Sequence, residues 1–110
     1  MAENNSGADK QKQENIVYVD SDLKELIPMF LENRADNIAE LKKLLKEENY
    51  EGIEKLGHKI KGSGGGYGFD KVTDLGREIE QAAAAGNTKK LRDLIEELAE
   101  HMDKVEIKYE

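Results

Sequence analysis

Apolar residues recur at intervals of three and four positions in four successive segments of the chain, which is the spacing of one face of an α-helix. Each segment therefore predicts an amphipathic helix that buries one stripe. The stripes comprise Leu23, Leu26, Ile27, Phe30, Leu31, Ile38, Leu41, Leu44 and Leu45, then Ile53, Leu56 and Ile60, then Val72, Leu75, Ile79 and Ala83, and finally Leu91, Leu94, Ile95, Leu98, Met102 and Val105. Short polar breaks separate them. The pattern predicts an all-α antiparallel four-helix bundle, and no segment indicates a strand.

The start of the bundle can be predicted from a few residues. Pro28, the only proline, either begins a helix in its first turn, after a short N-terminal helical segment, or kinks one continuous helix. Asp20 or Ser21 is suited to cap the first helical segment. Residues 1–16 carry almost no apolar side chains, which predicts a disordered tail before a single domain at 17–110.

Composition narrows the classes of function. The 110 residues leave no room for a separate nucleotide-binding domain beside one bundle. No run approaches the roughly 18 apolar residues that would span a bilayer, and the polar start lacks the pattern of a secretory signal, so we expect a cytoplasmic protein. The absence of cysteine removes thiol chemistry and disulfides. A net charge of −7 disfavours nucleic acid and anionic membranes as partners.

The position of His58 differs from that of the apolar residues around it. At roughly 100° per residue, Ile53, Leu56 and Ile60 share one face of their helix, and His58 points almost directly away from that face. The spacing therefore does not favour a histidine held in the core. Two interpretations remain, an exposed histidine with a chemical role and an exposed histidine with none.

The neighbours of His58 suit phosphoryl chemistry. Neutral imidazole is a nucleophile near pH 7, and Lys61, one turn later, is placed to offset the charge of a phosphoryl group. Lys55, one turn earlier, is a further candidate, although either lysine is also consistent with a solvated surface charge. Gly62 costs about 0.5 to 1 kcal/mol relative to alanine in a helix, and it would leave the imidazole open to a large partner. The alternative is that the glycines end the helix or allow close helix packing.

The segment around this histidine reads His58-Lys59-Ile60-Lys61-Gly62-Ser63-Gly64-Gly65-Gly66-Tyr67-Gly68. It resembles the signature of histidine-containing phosphotransfer domains, which is His-x-x-Lys-Gly-Ser, a run of small residues, an aromatic or aliphatic residue, and Gly. The likeness extends over about residues 20–105 and includes the related domain of chemotaxis-type kinases. Relative to a pattern with two hydroxyl residues, Gly64 replaces the second, which leaves the role of Ser63 open.

The resemblance implies a phosphoryl carrier of a two-component phosphorelay rather than an enzyme. It implies that His58 is the phosphoacceptor, that Lys61 stabilises the phosphoryl group and that Gly62 gives the partner access. The implied partners are response-regulator receiver domains, which supply a phosphorylated aspartate and bound magnesium, and a sensor histidine kinase. We expect a monomer with no cofactor of its own.

The resemblance also suggests a residue that orients the imidazole. In chemotaxis-type relatives an acidic residue on the following helix hydrogen-bonds the ring, and Glu80 is the candidate by spacing. A surface charge is the simpler interpretation of Glu80. Arg77 is a second residue that could line the phosphate side of the histidine.

Other classes of function have less support. An enzyme would need more polar groups than are visible, since His101 lies near the buried stripe of the last helix without a matched base. A metal site in the bundle would need ligands that project inward, whereas Glu54 and His58 project outward. The remaining alternative is an acidic helical adaptor that binds receiver domains without being phosphorylated, in which His58 would be incidental.

Overall fold

The computed structural model of the protein describes residues 15–110, so residues 1–14 of the tail predicted for 1–16 lie outside the described residues. In chain order the elements are strand β1 (Ile16–Val19), a 3-10 helix (Ser21–Leu26), α1 (Ile27–Lys46), α2 (Tyr50–Gly64), a second 3-10 helix (Gly65–Tyr67), α3 (Asp70–Ala84), α4 (Thr88–Lys104) and strand β2 (Glu106–Tyr109). The four helices and the short helical segment before them confirm the predicted bundle. Among residues 15–110, no helix combines the length and the hydropathy that crossing a membrane requires.

Local sequence determines where the helices begin. The Asp20 side chain accepts a hydrogen bond from the backbone N–H of Asp22 at 2.9 Å, as predicted for a cap. Pro28 lies in the first turn of α1, where a backbone N–H would have no helical partner, so it begins a new helix rather than kinking a longer one. The side chains of Asn49 and Asn87 cap α2 and α4 by accepting backbone N–H groups at 2.9 and 3.1 Å.

Strands β1 and β2 pair in parallel and bring the two ends of the described chain together. Ile16 lies opposite Glu106 and Val19 lies opposite Tyr109, while Val17 and Val19 are buried. The sequence-based expectation of no strands is wrong, because each strand has only four residues and its partner lies almost a whole domain away along the chain. Ile16, which the sequence assigned to the tail, is the first residue of β1.

Most of the predicted stripe residues form the core between the helices. Leu26 departs from the prediction, because it ends the first 3-10 helix instead of extending the stripe of α1 and is 48% exposed. Val105 lies in extended backbone just after α4 rather than in the helix, but its side chain packs against the core as predicted. The buried apolar residues are Val17, Val19, Ile27, Phe30, Leu41, Ile53, Leu56, Ile60, Phe69, Val72, Leu75, Ile79, Ala82, Ala83, Leu91, Leu94, Ile95 and Leu98.

Helices α2 and α3 approach each other closely where two glycines meet. A Cβ added at Gly76 would lie 2.5 Å from the backbone nitrogen of Lys61, and one added at Gly57 would lie 2.9 Å from the backbone nitrogen of Glu80. Any larger residue would therefore force the two backbones apart. This close approach brings the side chains of α3 within reach of the exposed face of α2.

Candidate functional site

His58 lies in the middle of α2 and faces away from the core, as the spacing predicts. Its side chain is 69% exposed, whereas Leu56 and Ile60 on the opposite face are buried. The alternation follows from the helical period, which turns residues two positions apart by about 200°. The imidazole is therefore held by a rigid element but remains open to a partner.

Glu80 extends from α3 and contacts the side chains of both His58 and Lys61 on α2. One carboxylate oxygen, Oε2, lies 2.9 Å from Nδ1 of His58, and the other, Oε1, accepts a hydrogen bond from Nζ of Lys61 at 2.9 Å. The hydrogen bond from Lys61 is the main reason that the pKa of Glu80 falls below its ordinary value of 4.5; partial burial opposes this effect, and the contact with His58 adds to it. The predicted contact between Glu80 and the imidazole is thus present in the structure.

The contact with Glu80 determines which nitrogen of His58 is available as a nucleophile. An ionised carboxylate can only accept hydrogen bonds, so Nδ1 of a neutral His58 must carry the proton. The lone pair then lies on Nε2, at the exposed end of the ring. A positive charge that develops on the ring during attack would also lie next to the Glu80 carboxylate.

The other basic candidates occupy different places. The Lys61 side chain is 30% exposed and is directed to Glu80. Lys55 pairs with Glu51 at 3.3 Å on a fully solvated part of α2, and Arg77 pairs with Asp74 at 3.1 Å within α3 rather than with any group beside His58. Of the three, Lys61 alone shares a direct partner with the imidazole.

The glycines of the signature segment have different surroundings. A Cβ at Gly62 or Gly66 would have no neighbour within 4 Å, whereas one at Gly64 would lie 2.7 Å from the carbonyl oxygen of Phe69. Gly68 has a positive φ of 87°, and it ends the glycine-rich segment in a conformation that side chains rarely adopt. Ser63 donates its hydroxyl to the carbonyl of Ile60 at 2.8 Å, which satisfies it within the helix. The space beside Gly62 is therefore open, as access for a partner would require.

The two aromatic residues after the glycines pack differently. Phe69 is fully buried and its ring centroid lies 4.5 Å from that of Phe30. Tyr67 is half-buried and lies 4.9 Å from the same ring. Phe69 therefore belongs to the core, and Tyr67 alone reaches the surface beside α2.

Sequence reasoning missed Arg34, which extends from α1 toward the same region. Its side chain is buried, with 7% of the residue exposed, and it lies 4.9 Å from the ring of Phe30. Burial lowers the pKa of its guanidinium, an effect that Tyr67 partly offsets, yet arginine stays charged at neutral pH. The sequence contained a signal, because Arg34 follows Phe30 by four positions and so falls on the buried stripe.

The exposed face of His58 borders a cavity. A shallow cavity of about 530 Å³ beside the imidazole is lined by Glu51, Glu54, Lys55, His58 and Glu80. Within residues 15–110, no group of three or more histidine, aspartate or glutamate side chains has the arrangement of a metal site. The contact between Glu80 and Nδ1 of His58 suits nucleophilic attack by the exposed Nε2 of the imidazole.

Comparison with known proteins identifies one family. The model of the Hpt domain family matches residues 25–107, a range that contains all four α-helices and the first half of β2. Searches of curated proteins and of solved structures find no match.

Proposed function

Because this chain belongs to the Hpt domain family, whose role is phosphotransfer in two-component signalling, we propose that it carries a phosphoryl group on Nε2 of His58. The observation that carries the proposal is the 2.9 Å contact between Nδ1 of His58 and Glu80. That contact leaves Nε2 unprotonated at the exposed end of an imidazole on a rigid helix. The donor is a receiver-domain aspartyl phosphate or a sensor histidine kinase, and the acceptor is another receiver domain.

The transfer step needs no proton movement at Nε2. The lone pair of Nε2 attacks the phosphorus of the aspartyl phosphate, the bond between phosphorus and the aspartate oxygen breaks, and the aspartate leaves as a carboxylate. The imidazole ring gains positive charge while Nδ1 keeps its proton, and the Glu80 carboxylate offsets that charge. The same step in reverse passes the group to the next receiver, whose bound magnesium serves both directions.

The remaining site residues assist this step. Lys61 lies next to His58 through their shared partner Glu80, so its ammonium can offset the charge that the phosphoryl group adds. Gly62 leaves the space beside the imidazole empty, so the active site of the partner can close over Nε2. The protein thus supplies the nucleophile and its surroundings, and the receiver supplies the rest of the catalysis.

An adaptor that binds receivers without being phosphorylated is the second candidate. One observation favours it: Leu26 and Met29 are 48% and 65% exposed, so the surface offers apolar contacts that do not depend on His58. Binding alone would not require Glu80 to hold Nδ1, however. The state of His58 after contact with a phosphorylated receiver therefore separates the two candidates.

The decisive experiment is phosphoryl transfer from a phosphorylated receiver domain to the wild type and to His58→Gln. We expect label on the wild type that is lost in acid and kept in base, as for a phosphoramidate, and no label on the variant. Circular dichroism and receiver binding of the variant provide the control for folding. Wild-type protein that binds receivers but takes up no label from any of them would establish the adaptor instead.

A further inference from the structure

A groove between α1 and α2 contains a buried charge that has no carboxylate partner among residues 15–110. The groove has a volume of about 360 Å³, and its lining residues are Leu26, Met29, Phe30, Asn33, Arg34, Gly62, Ser63, Gly66 and Tyr67. Among residues 15–110, Arg34 makes no ion pair with a carboxylate within 4.0 Å, and its Nε is buried without a hydrogen-bond acceptor. A buried guanidinium normally has a carboxylate or several acceptors around it.

An anion is the ligand that best suits the Arg34 guanidinium. The guanidinium is a rigid fork of donors that fits a carboxylate through two parallel hydrogen bonds. In a chain of net charge −7 with 24 acidic residues, a buried arginine with no carboxylate within 4.0 Å in the described part of the chain is unexpected. The aromatic ring of Phe30 at 4.9 Å supports one face of the guanidinium and leaves its edge for a ligand.

The surroundings of the groove point to a protein rather than a small ion. Leu26 and Met29 are exposed on its rim, and a shell of apolar side chains around a buried arginine is typical of the centre of a protein interface. A small ion would leave these side chains in water. The empty space at Gly62 and Gly66 lets another backbone approach the groove.

The groove is continuous with the face that carries His58. Gly62 lines the groove and lies one helical turn after His58, on the same side of α2. A partner large enough to cover the imidazole therefore also covers the mouth of the groove. Arg34 and the imidazole are thus placed to meet the same partner.

On the basis of the proposed function, we propose that the groove receives an acidic side chain of the docked receiver domain and that Arg34 is its binding partner. Leu26 and Met29 pack around this contact and exclude water from it. Arg34 is then a residue that determines affinity for the receiver, and it takes no part in the attack on phosphorus.

The test compares Arg34→Met, which keeps much of the side-chain volume, with Arg34→Lys and with the control Arg92→Met on the exposed face of α4. The probe is the receiver domain that exchanges phosphoryl groups fastest with the wild type or, if none does, the one that binds tightest. We expect Arg34→Met to weaken binding about 10- to 100-fold, Arg34→Lys to weaken it less, and Arg92→Met to leave it unchanged. Equal affinity of Arg34→Met and wild type overturns the proposal.

A second arm uses the wild type, so it does not depend on how Arg34 variants fold. Surface acids of the receiver are changed to alanine one at a time, and one of them should lower affinity for the wild type about as much as Arg34→Met does. The same change should have little further effect on Arg34→Met. Absence of any such acid, or failure of every receiver to bind the wild type, overturns the proposal.

A small phosphodonor such as phosphoramidate distinguishes failure of this inference from failure of the proposed function. It reaches His58 without docking, so we expect Arg34→Met and the wild type to be labelled at the same rate. If the wild type binds receivers through Arg34 but is never labelled, the carrier function is refuted and the proposed role of Arg34 in binding is retained. If labelling is normal and Arg34→Met binds receivers as tightly as the wild type, only the proposed role of Arg34 is refuted.

Discussion

The two flanks of α2 beside His58 differ in how their charges are satisfied. On the α3 side, Glu80 bonds both His58 and Lys61 at 2.9 Å, so two basic groups share one carboxylate. On the α1 side, the buried Arg34 has no carboxylate partner among the described residues and lies behind an exposed apolar rim. Within residues 15–110, the charges of the α3 flank are paired with one another, and the guanidinium of the α1 flank has no carboxylate beside it.

Under the two proposals made above, this difference divides chemistry and recognition between the two flanks. The α3 flank orients a nucleophile, which needs fixed distances, and the contact of Gly57 with Gly76 fixes them by holding the helices together. The α1 flank carries features that a free protein does not need, since an unpaired buried charge is unfavourable. A residue that is unfavourable for folding is a candidate for a role in binding.

The largest expected effect comes from a substitution that disrupts the packing of α2 against α3. Gly76→Ala places a Cβ 2.5 Å from the backbone of Lys61, and backbone cannot move aside as a flexible side chain can. We expect the free energy of unfolding to fall by about 3 kcal/mol, at the upper end for overpacking, and the contact between Glu80 and His58 to lengthen. Urea unfolding measures the first effect, and labelling by phosphoramidate measures the second. A variant as stable as the wild type would show that α2 and α3 are not held at this distance.

The second-largest expected effect comes from a substitution that removes the charge of the Glu80 side chain without changing its size. Glu80→Gln keeps the shape but removes the carboxylate that fixes the proton on Nδ1 and offsets the charge on the ring. We expect labelling of His58 to slow about tenfold, as for other residues that orient a reacting group, with either phosphoramidate or a receiver as donor. Glu78→Gln, one of the exposed acids of α3, is the matched control. A rate that falls with the receiver alone would assign Glu80 to docking instead.

Features set by local spacing were predictable from sequence. The helices, the outward position of His58 and the cap at Asp20 each depend on residues a few positions apart, and the structure contains all of them. Glu80 could be named beforehand only through the family resemblance, because its contact with His58 joins two helices. The catalytic roles assigned to His58, Lys61, Gly62 and Glu80 stay predictions until phosphorylation is measured.

Features set by distant contacts were missed. The two strands pair residues from opposite ends of the domain. Gly57 and Gly76 are needed because α2 and α3 approach closely at these positions, a contact between helices that the sequence does not reveal. Arg34 was overlooked although it follows Phe30 by four positions, because the stripe was defined by apolar residues alone. Leu26 shows the converse error, since an apolar residue at helical spacing is exposed.

A smaller effect tests whether the space at Gly62 serves the partner. Gly62→Ala meets no atom within 4 Å and removes a glycine from a helix, so the free energy of unfolding should rise by about 0.5 to 1 kcal/mol. Transfer from a receiver should nevertheless slow several-fold, while labelling by phosphoramidate stays near the wild-type rate. Transfer that is as fast as in the wild type would mean that this glycine only ends or loosens the helix.

The smallest expected effect appears when the pH is lowered. The Glu80 carboxylate on the α3 flank takes up a proton in mild acid, whereas the Arg34 guanidinium on the α1 flank stays charged. The pKa of folded Glu80 is below 4.5, chiefly through the hydrogen bond from Lys61. Its stabilising contribution is therefore complete above 4.5 and is lost as pH falls through the folded pKa. The difference in unfolding free energy between the wild type and Glu80→Gln should therefore shrink as the pH falls below about 4.5.

His101 also titrates, but it does not confuse this comparison. Burial, with help from Lys71, lowers the pKa of His101 below 6.5, so the unfolded state takes up a proton first and stability falls as pH drops below 6.5. That loss is common to the wild type and to Glu80→Gln, and it cancels in their difference. The corresponding difference for Arg34→Met should show no step near pH 4.5, because the guanidinium stays charged throughout. The opposite outcome is a difference in unfolding free energy between the wild type and Arg34→Met that changes near pH 4.5 as much as that of Glu80→Gln does. That result would show that Arg34 interacts with the titrating carboxylate and that the two flanks are not electrostatically separate.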